Sequence, residues 1–318
     1  MYPWGHNRRF NAFPNYCVKV FGQRLQKVAV DAGFTCPNRD GTLSTEGCLY
    51  CNNDAFNPSY CNPVLTITEQ LKAGIDFLNV RYKKAHKYLP YFQAYTNTYK
   101  PVKELEKLYN EALNFPGVVG LIIGTRPDCL DDETAGLLAD LSREYFILLE
   151  FGVESCNDAI LKSINRGHTF KQSADALKIC ATLGIKAGIH LIFGLPGDTR
   201  ENMLAQTDII SSLPLHSIKM HQFQVVKGTK METLYQQQPE IFYNFSREEY
   251  IEFVIDFVER LNPAIVIDRF AGEMPPRYLA GPSIMADKTW GFIRNDQLIQ
   301  MIEKRMQQRE TWQGRLYS

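Results

Sequence analysis

Hydrophobic and polar positions divide this chain into two alternating kinds of segment. Short runs of apolar and β-branched residues, such as 118–124 and 145–153, predict strands that are buried on both faces. Between them lie segments with apolar residues at helical spacing, for example Leu71, Ile75 and Leu78 after a capping threonine. Strands separated in this way by helices are typical of a parallel sheet built from right-handed crossovers.

Six strands are predicted before residue 227, at 27–31, 91–98, 118–124, 145–153, 185–193 and 217–226. The helices between them are predicted to begin at Thr66 or Thr68, at Pro101, at the acidic run 131–133, near residue 171 and near Thr199. A doubly wound open sheet and a curved, barrel-like sheet both fit this alternation.

Polar and small residues at the ends of several strands favour the barrel. A cysteine-containing loop follows the first strand, Thr96, Asn97 and Thr98 end the second, and 124–129 follows the third. In the fourth strand Glu150, Gly152 and Glu154 share one face. Functional residues spread over strand ends are what a barrel of alternating strands and helices places around one site. The predicted fold class is therefore α/β, a partial (β/α)6 barrel followed by an α/β extension.

The C-terminal part begins a new pattern after residue 226. Ser246 and Glu249 form the spacing of a capping box, a strand-like run covers 264–270, and a last amphipathic helix begins near Asp296. We divide the chain into an N-terminal segment (1–26), a core barrel (27–226) and an extension over the cleft (227–318). The candidate substrate contacts in the extension are Arg269, Glu273 and Arg277.

Composition narrows the class of protein. The 318 residues contain 35 basic and 35 acidic side chains, so any contact with a polyanion must be a local patch. No apolar run reaches the length of a membrane span, and the N-terminus lacks the pattern of a signal peptide. Scattered cysteines in such a chain are expected to be reduced thiols, which predicts a cytoplasmic protein.

Three cysteines lie in one glycine-containing loop, with eleven residues between Cys36 and Cys48 and two between Cys48 and Cys51. A structural zinc site needs four ligands, whereas an iron–sulfur cluster held by three cysteines leaves one iron open. We favour the open cluster. The alternatives are zinc with Cys61 or a histidine as fourth ligand, and a disulfide with a spare thiol. Tyr50, beside the last cysteine, could pack against a flat ligand ring.

Several motifs together resemble one family. The cysteine loop, GTRPDC at 124–129, NRGHTF at 165–170 and IFGLPGDT at 192–199 are similar to the radical S-adenosylmethionine (SAM) superfamily. Within it the chain resembles the YhcC/YtqA-type branch, which is related to the elongator catalytic subunit. The resemblance runs from about residue 20 to 314.

The resemblance implies a [4Fe-4S] cluster on Cys36, Cys48 and Cys51, with S-adenosylmethionine bound to the open iron and cleaved by one electron to a 5′-deoxyadenosyl radical. It also implies an external electron donor of the flavodoxin or ferredoxin type. The residues that it assigns to S-adenosylmethionine, together with Tyr50, are Thr96, Asn97 and Thr98 for the amino group, Glu154 for the ribose or amino group, Arg166 for the carboxylate, and Gly194, Leu195, Pro196 and Gly197 beneath adenine.

Other polar residues keep two interpretations. Arg166 could instead be a solvated cation at a helix end, and His190 a hydrogen-bonded core histidine. The carboxylates of the fourth strand need partners, for which we expect Arg126 or a lysine. Cys129, at a strand end, could face the radical as a hydrogen-atom donor or covalent anchor, or be an inert buried thiol.

The branch's relatives suggest a role in side-chain modification of tRNA wobble uridines. Two basic runs with nearby aromatics, 83–87 and 305–315, give local support, although such runs are often solvated surface. A radical enzyme acting on a small molecule or a protein, and a non-catalytic metal-binding module, are the alternatives. The sequence carries no signal for the oligomeric state.

Overall fold

The computed structural model of the chain describes residues 1–80, 86–287 and 291–317. Seven parallel strands form one sheet in which the spatial order of the strands equals their order in the sequence. This order is the result of repeated right-handed strand–helix–strand units. The strands are β1 Gln26–Val30, β2 Tyr88–Phe92, β3 Gly120–Thr125, β4 Phe146–Glu154, β5 Lys186–Phe193, β6 Ser217–Gln222 and β7 Val266–Arg269, with a short antiparallel pair β8 Ala286–Asp287 and β9 Gly291–Phe292.

Amphipathic helices cover the outer face of the sheet, with Leu71, Leu105 and Leu138 fully buried beneath three of them. Their starts follow the predicted caps: Thr66 with Glu69 and Ser246 with Glu249 form capping boxes, each cap contributing about 1 kcal/mol. The helices are α1 Phe13–Phe21, α2 Ile67–Asn79, α3 Val102–Leu113, α4 Asp132–Ser142, α5 Asp158–Ser163, α6 Phe170–Thr182, α7 Arg200–Ser211, α8 Lys230–Gln237, α9 Arg247–Arg260 and α10 Asn295–Gln308. None of the helices in the described ranges has both the length and the apolar character that crossing a membrane requires.

The sheet curls until its two edge strands approach each other. Lys27 of β1 forms an ion pair with Asp268 of β7, and Lys219 of β6 lies 3.5 Å from the same carboxylate. The N-terminal segment runs along the free edge of β7, where Ile267 donates its backbone N–H to the carbonyl of Asn11 at 2.7 Å. The predicted partial barrel is therefore confirmed, with side chains and a short N-terminal segment at its seam.

The predicted strand at 91–98 is wrong in its position. β2 ends at Phe92, and the chain turns at Tyr95, whose φ of 60° lies in the left-handed region that a strand cannot contain. Residues 96–98 consequently lie in the turn after the strand. The predicted sixth strand is also shorter than expected and ends at Gln222.

The strand-like run at 264–270 forms β7, so the sheet has one strand more than the six predicted for the core. β7 pairs with β6 and completes the same wall. The helix α1 was not predicted; its Phe13 and Cys17 pack on Leu89 and Leu148 in a separate apolar cluster. Tyr91 of β2 belongs to the same cluster.

Candidate active site

A cavity of about 630 Å³ lies inside the curled sheet, a size within the usual range of ligand sites. All seven strands of the sheet contribute to its wall. Their lining residues are Lys27 and Ala29 from β1, Tyr91 from β2, Gly124 and Thr125 from β3, Glu150, Gly152 and Glu154 from β4, His190 and Ile192 from β5, Lys219, His221 and Gln222 from β6, and Arg269 from β7. The predicted alignment of Glu150, Gly152 and Glu154 on one face is borne out.

The cysteine loop forms one end of this cavity, and Cys36, Cys48 and Cys51 all line it. Cys48 and Cys51 lie in one tight turn, in which the backbone N–H of Cys51 donates to the carbonyl of Cys48 at 3.0 Å. Arg39 donates from Nη2 to the carbonyl of Cys51 at 2.8 Å. Gly47 has a φ of 71°, so glycine permits the left-handed turn just before Cys48.

Two asparagines join the cysteine loop to the loop after α5. Asn38 Nδ2 donates to the carbonyl of Asn165 at 2.6 Å, and Asn165 Nδ2 donates to the carbonyl of Gly47 at 2.8 Å. Asn165 has a φ of 53°, a conformation that asparagine tolerates better than most residues. These asparagines were not predicted as site residues; their pairing depends on the fold because 127 positions separate them.

Arg166 is buried, and its guanidinium lies between the cysteine loop and strand β4. Its Nη2 donates to the carbonyl of Gly152 and lies 3.5 Å from Glu154 Oε1, and its Nη1 lies 3.5 Å from Cys48 Sγ. Burial lowers the pKa of the guanidinium, but Tyr50, Cys48 and Glu154 outweigh it and raise that pKa well above the usual value. The alternative of a solvated cation at a helix end is wrong, since only 6% of the residue is exposed.

Gly152 and Glu154 lie against the Arg166 guanidinium. β4 shifts register between the two residues, and Glu154 has a φ of 68°, a strained conformation for a side-chain-bearing residue. A Cβ on Gly152 would lie 2.6 Å from Arg166 Nη2 and 2.7 Å from Glu154 Oε1. The absence of a side chain at this position therefore leaves the space that both charged groups occupy.

Arg126 fixes the backbone of Arg166. It is 2% exposed and makes a bidentate pair with Asp128, at 2.9 Å and 2.8 Å, while its Nη1 donates to the carbonyl of Arg166 at 2.8 Å. The expectation that Arg126 or a lysine would neutralise a carboxylate of β4 is met by Lys219, which pairs with Glu150, while Arg126 pairs with Asp128.

The predicted segment at residues 96–98 places one of its three residues on the cavity. Thr96 lines it, whereas Asn97 binds the carbonyl of Gly124 at 2.8 Å and Thr98 shares a 2.6 Å hydrogen bond with the Thr125 hydroxyl. The roles predicted for them toward the amino group stay predictions.

The turn 194–197 lies behind the cysteine loop and is not part of the cavity wall. Gly194 and Gly197 have φ of 90° and 85°, and Leu195 is fully buried in an apolar cluster with Leu49 and Tyr50 at its edge. The turn therefore packs against the loop next to Cys48 and Cys51. Tyr50 itself lines the cavity, as a ring-stacking role requires.

Cys129 is half-buried, does not line the cavity, and burial raises the pKa of its thiol to about 12. Its predicted contact with the radical stays a prediction. All eight cysteines, Cys61 included, are free thiols.

The opposite end of the cavity is formed by five polar side chains from β4 to β7, Glu150, His190, Lys219, His221 and Arg269, here called the polar end. Glu150 Oε2 accepts from Lys219 and lies 3.1 Å from His190 Nε2. Burial raises the pKa of Glu150, but Lys219 and His190 outweigh it and hold that pKa well below the usual value. Burial, followed by the nearby His190 and Arg269, holds the pKa of His221 well below its usual value, so His221 is neutral near pH 7.

The donor set at the cysteine loop fits a three-cysteine cluster. Among residues 1–80, 86–287 and 291–317, no three His, Cys, Asp or Glu side chains are grouped as ligands of one metal ion. A four-iron cluster makes a different demand, because each thiolate binds its own iron atom. Three free thiols share the wall, and Asn38 Nδ2 and Arg166 Nη1 each lie 3.5 Å from Cys48 Sγ, as donors to cluster sulfur do.

Comparison with known proteins agrees with this geometry. Residues 38–205 match the Radical SAM superfamily, and residues 215–308 match the Radical_SAM C-terminal domain. The chain belongs to the radical SAM superfamily.

Its similar relatives include the proteins YtqA of Bacillus subtilis (strain 168) and YhcC of Escherichia coli (strain K12). Both are 30% identical to this chain; YtqA matches over 98% of this chain and 93% of its own length, and YhcC over 91% and 92%. The predicted YhcC/YtqA-type branch is thereby confirmed.

More distant matches concern one part of the chain or the fold alone. A tRNA uridine(34) acetyltransferase of Dehalococcoides mccartyi (strain CBDB1) is 32% identical over 36% of this chain and 25% of its own length. The solved structure of Methanocaldococcus infernus Elp3 with an N-terminal deletion (1–46) has a TM-score of 0.66 at 18% identity, covering 91% of this chain and 64% of that one. That likeness supports the curled parallel sheet.

Proposed function

We propose that this protein is a radical SAM enzyme that holds a [4Fe-4S] cluster on Cys36, Cys48 and Cys51 and binds S-adenosylmethionine in the adjoining cavity. The observation that carries the proposal is the meeting of the three thiols with the buried pair Arg166–Glu154 on one cavity wall. When bound, the cluster and S-adenosylmethionine would supply a 5′-deoxyadenosyl radical for abstracting hydrogen from the substrate.

The protein's own residues position and enclose these groups. Arg166 offers a guanidinium to a carboxylate, for which its planar fork is suited, and Glu154 offers an acceptor to an amino or hydroxyl group. Thr96 adds a hydroxyl and Tyr50 an aromatic face to the same wall. Arg126 and Asn38 hold the two loops, so that little ordering is left to occur when the ligand binds.

The sharpest test compares cysteines of the same chain. After anaerobic reconstitution with iron and sulfide, we expect the wild type to form 5′-deoxyadenosine from S-adenosylmethionine and a strong reductant, measured by liquid chromatography. Cys36→Ala, Cys48→Ala and Cys51→Ala should each reduce this product to background and lower the bound iron. Cys61→Ala is the matched control, since its thiol donates to the carbonyl of Ala29 at 3.3 Å outside the cavity. Equal product from Cys36→Ala and Cys61→Ala would overturn the proposal.

We further propose that the substrate is a tRNA wobble uridine side chain. The support is the match to tRNA uridine(34) acetyltransferases, which covers part of the chain, and the fold likeness to Elp3. Nucleoside mass spectrometry of tRNA from cells with and without the gene tests it; identical modification profiles would remove tRNA from consideration.

One observation favours the alternative of a small-molecule or protein substrate. Of the two basic runs, Lys83 and Lys84 lie outside the described residues, and Arg305 and Arg309 pair with acidic side chains of α9, namely Glu252, Asp256 and Glu259. These two arginines are already neutralised by the fold and are poor phosphate contacts. Incubation of the active enzyme with deuterium-labelled bulk tRNA and, separately, with a deuterium-labelled metabolite extract, followed by mass spectrometry of the 5′-deoxyadenosine for transferred deuterium, separates the two classes.

A further inference from the structure

Charge at the polar end of the cavity is arranged unevenly. Lys27 and Lys219 lie in one buried network with Glu150 and Asp268, two cations against two carboxylates. Arg269 lines the same cavity, yet its guanidinium forms no hydrogen bond or ion pair with any residue in the described ranges. In the described part of the chain, this end of the cavity therefore carries one positive charge, on Arg269, without a direct counter-ion.

The carboxylate nearest to this wall is not available to neutralise it. Glu150 uses Oε2 for both Lys219 and His190. Glu273 also lines the cavity, but it is exposed, and its Oε1 accepts the backbone N–H of Asn295. Arg269 remains the cation with free donors on this side.

Two further polar atoms at the same end lack partners. Glu150 Oε1, on a side chain that is 2% exposed, and His221 Nε2 are buried without a hydrogen bond to any described residue. Leaving a buried polar atom without a hydrogen bond is unfavourable, and more so for a carboxylate, so such atoms call for a specific explanation. His221 stands beside the imidazole of His190, with ring centroids 5.3 Å apart, which places its free nitrogen within this group of residues.

We propose that the polar end is the substrate-binding part of the cavity and that it recognises an anionic group, a carboxylate or a phosphate, through Arg269. In the same substrate a hydrogen-bond donor contacts Glu150 Oε1, and the buried, unpartnered His221 Nε2 forms a further hydrogen bond. The proposal rests on the proposed function, in which S-adenosylmethionine occupies the cysteine-loop end. Arginine suits this task because its fork meets two oxygens of either anion at once.

The test uses the full-length, cluster-loaded protein without reductant, so that no turnover occurs. Saturating S-adenosylmethionine is added first, because its carboxylate blocks anion binding at Arg166. Sodium phosphate, acetate and neutral acetamide are then titrated at constant ionic strength, and binding is followed by anaerobic calorimetry and by the rise in Tm. We expect saturable binding of phosphate or of acetate, and none of acetamide; the anion that binds identifies the chemistry of the substrate group.

Variants assign the site. Arg269→Gln should weaken anion binding at least tenfold, and Arg269→Lys should retain part of it because the charge remains. Arg143→Gln is the matched control, since the Arg143 side chain is exposed on the outer surface next to Asp140 and does not line the cavity. Anion binding that is absent, or equal in Arg269→Gln and Arg143→Gln, would overturn the proposal.

The result is separable from that of the proposed function. Cluster-loaded wild type that forms no 5′-deoxyadenosine when reductant is added, with anion binding at Arg269 intact, would contradict only the radical SAM assignment. A functional cluster that cleaves S-adenosylmethionine, with no anion binding at Arg269, would contradict only the substrate-binding assignment.

Discussion

The two ends of the cavity are built in different ways. The cysteine-loop end consists of loops tied to one another by backbone and asparagine hydrogen bonds, with its cysteines close together in the sequence. The polar end consists of single side chains on four successive strands, and 119 positions separate Glu150 from Arg269. The first end has the local motifs of a shared cofactor site, whereas the second depends on individual positions that can change without disturbing the loops. Under the two proposals above, the cysteine-loop end would hold the cofactors and the polar end would select the substrate.

The largest expected effect concerns stability at the polar end. Lys219→Met removes the main partner of the buried Glu150 carboxylate and should lower the free energy of unfolding by about 3–5 kcal/mol, measured by chemical denaturation. Adding Glu150→Gln should recover part of this loss, because the uncompensated charge is then absent. Lys227→Met, at an exposed lysine, is the control and should change stability little. If Lys219→Met alone is as stable as wild type, the buried Lys219–Glu150 pair does not stabilise the polar end.

A smaller effect is expected at the cysteine-loop end, on binding. Gly152→Ala places a methyl group 2.6 Å from Arg166 Nη2, so the guanidinium must move, and S-adenosylmethionine should bind about tenfold more weakly as one charged hydrogen bond is lost. Equilibrium dialysis of the cluster-loaded protein measures this. Gly136→Ala, in the exposed face of α4 with open space around its Cβ, should leave binding unchanged and add about 0.5–1 kcal/mol of stability. If Gly152→Ala binds S-adenosylmethionine with unchanged affinity, the position of the Arg166 guanidinium beside Gly152 does not matter for binding.

The smallest effect concerns the pH dependence of stability. It distinguishes His216, just before β6, from His221, near the end of that strand. Burial, with Lys186 as a secondary cause, lowers the pKa of His216 to about 4, and His221 at the polar end is lowered in the same direction. Both stay neutral in the folded protein while the unfolded chain takes up protons below pH 6.5, so stability is full above that pH and falls as the pH drops. Each contributes at most about 1.4 kcal/mol per pH unit.

His216→Phe should therefore reduce this slope by about one proton between pH 6.5 and pH 4, leaving the part that belongs to the polar end. Urea denaturation at several pH values measures the slope. An identical slope in the variant would show that His216 titrates normally in the folded protein.

The fold was predictable because its determinants are local. Strands such as β3 and β4 are continuous apolar runs, and helices such as α2 and α9 begin at capping boxes that can be read from four residues. The error at β2 arose because aromatic and threonine residues favour strands, whereas Tyr95 adopts a left-handed turn that its residue type does not announce.

The candidate site was predictable only in part. The cysteines, Glu154, Arg166, Tyr50 and Thr96 do meet at one cavity, and the spacing of the cysteines and the resemblance were sufficient to select them. Asn38, Asn165 and Lys219 were not selected, because a hydrogen bond between loops and a charge network across strands exist only once the sheet curls; Glu150, His190 and Arg269 were named singly, without the network that joins Glu150 to Lys219. A sequence pattern gives no sign that Arg269 lacks a partner.

The seam between β1 and β7 has a consequence for how large molecules reach the interior. In the described part of the chain these strands share no backbone ladder, and the charged side chains of Lys27 and Asp268 span the join. Separating them requires the loss of this ion pair and of the contacts that Phe13 makes across the seam, while a closed ladder would require breaking a row of peptide hydrogen bonds. The seam is therefore the part of the wall that could open with the fewest backbone hydrogen bonds broken, and a bulky substrate that enters sideways would enter there.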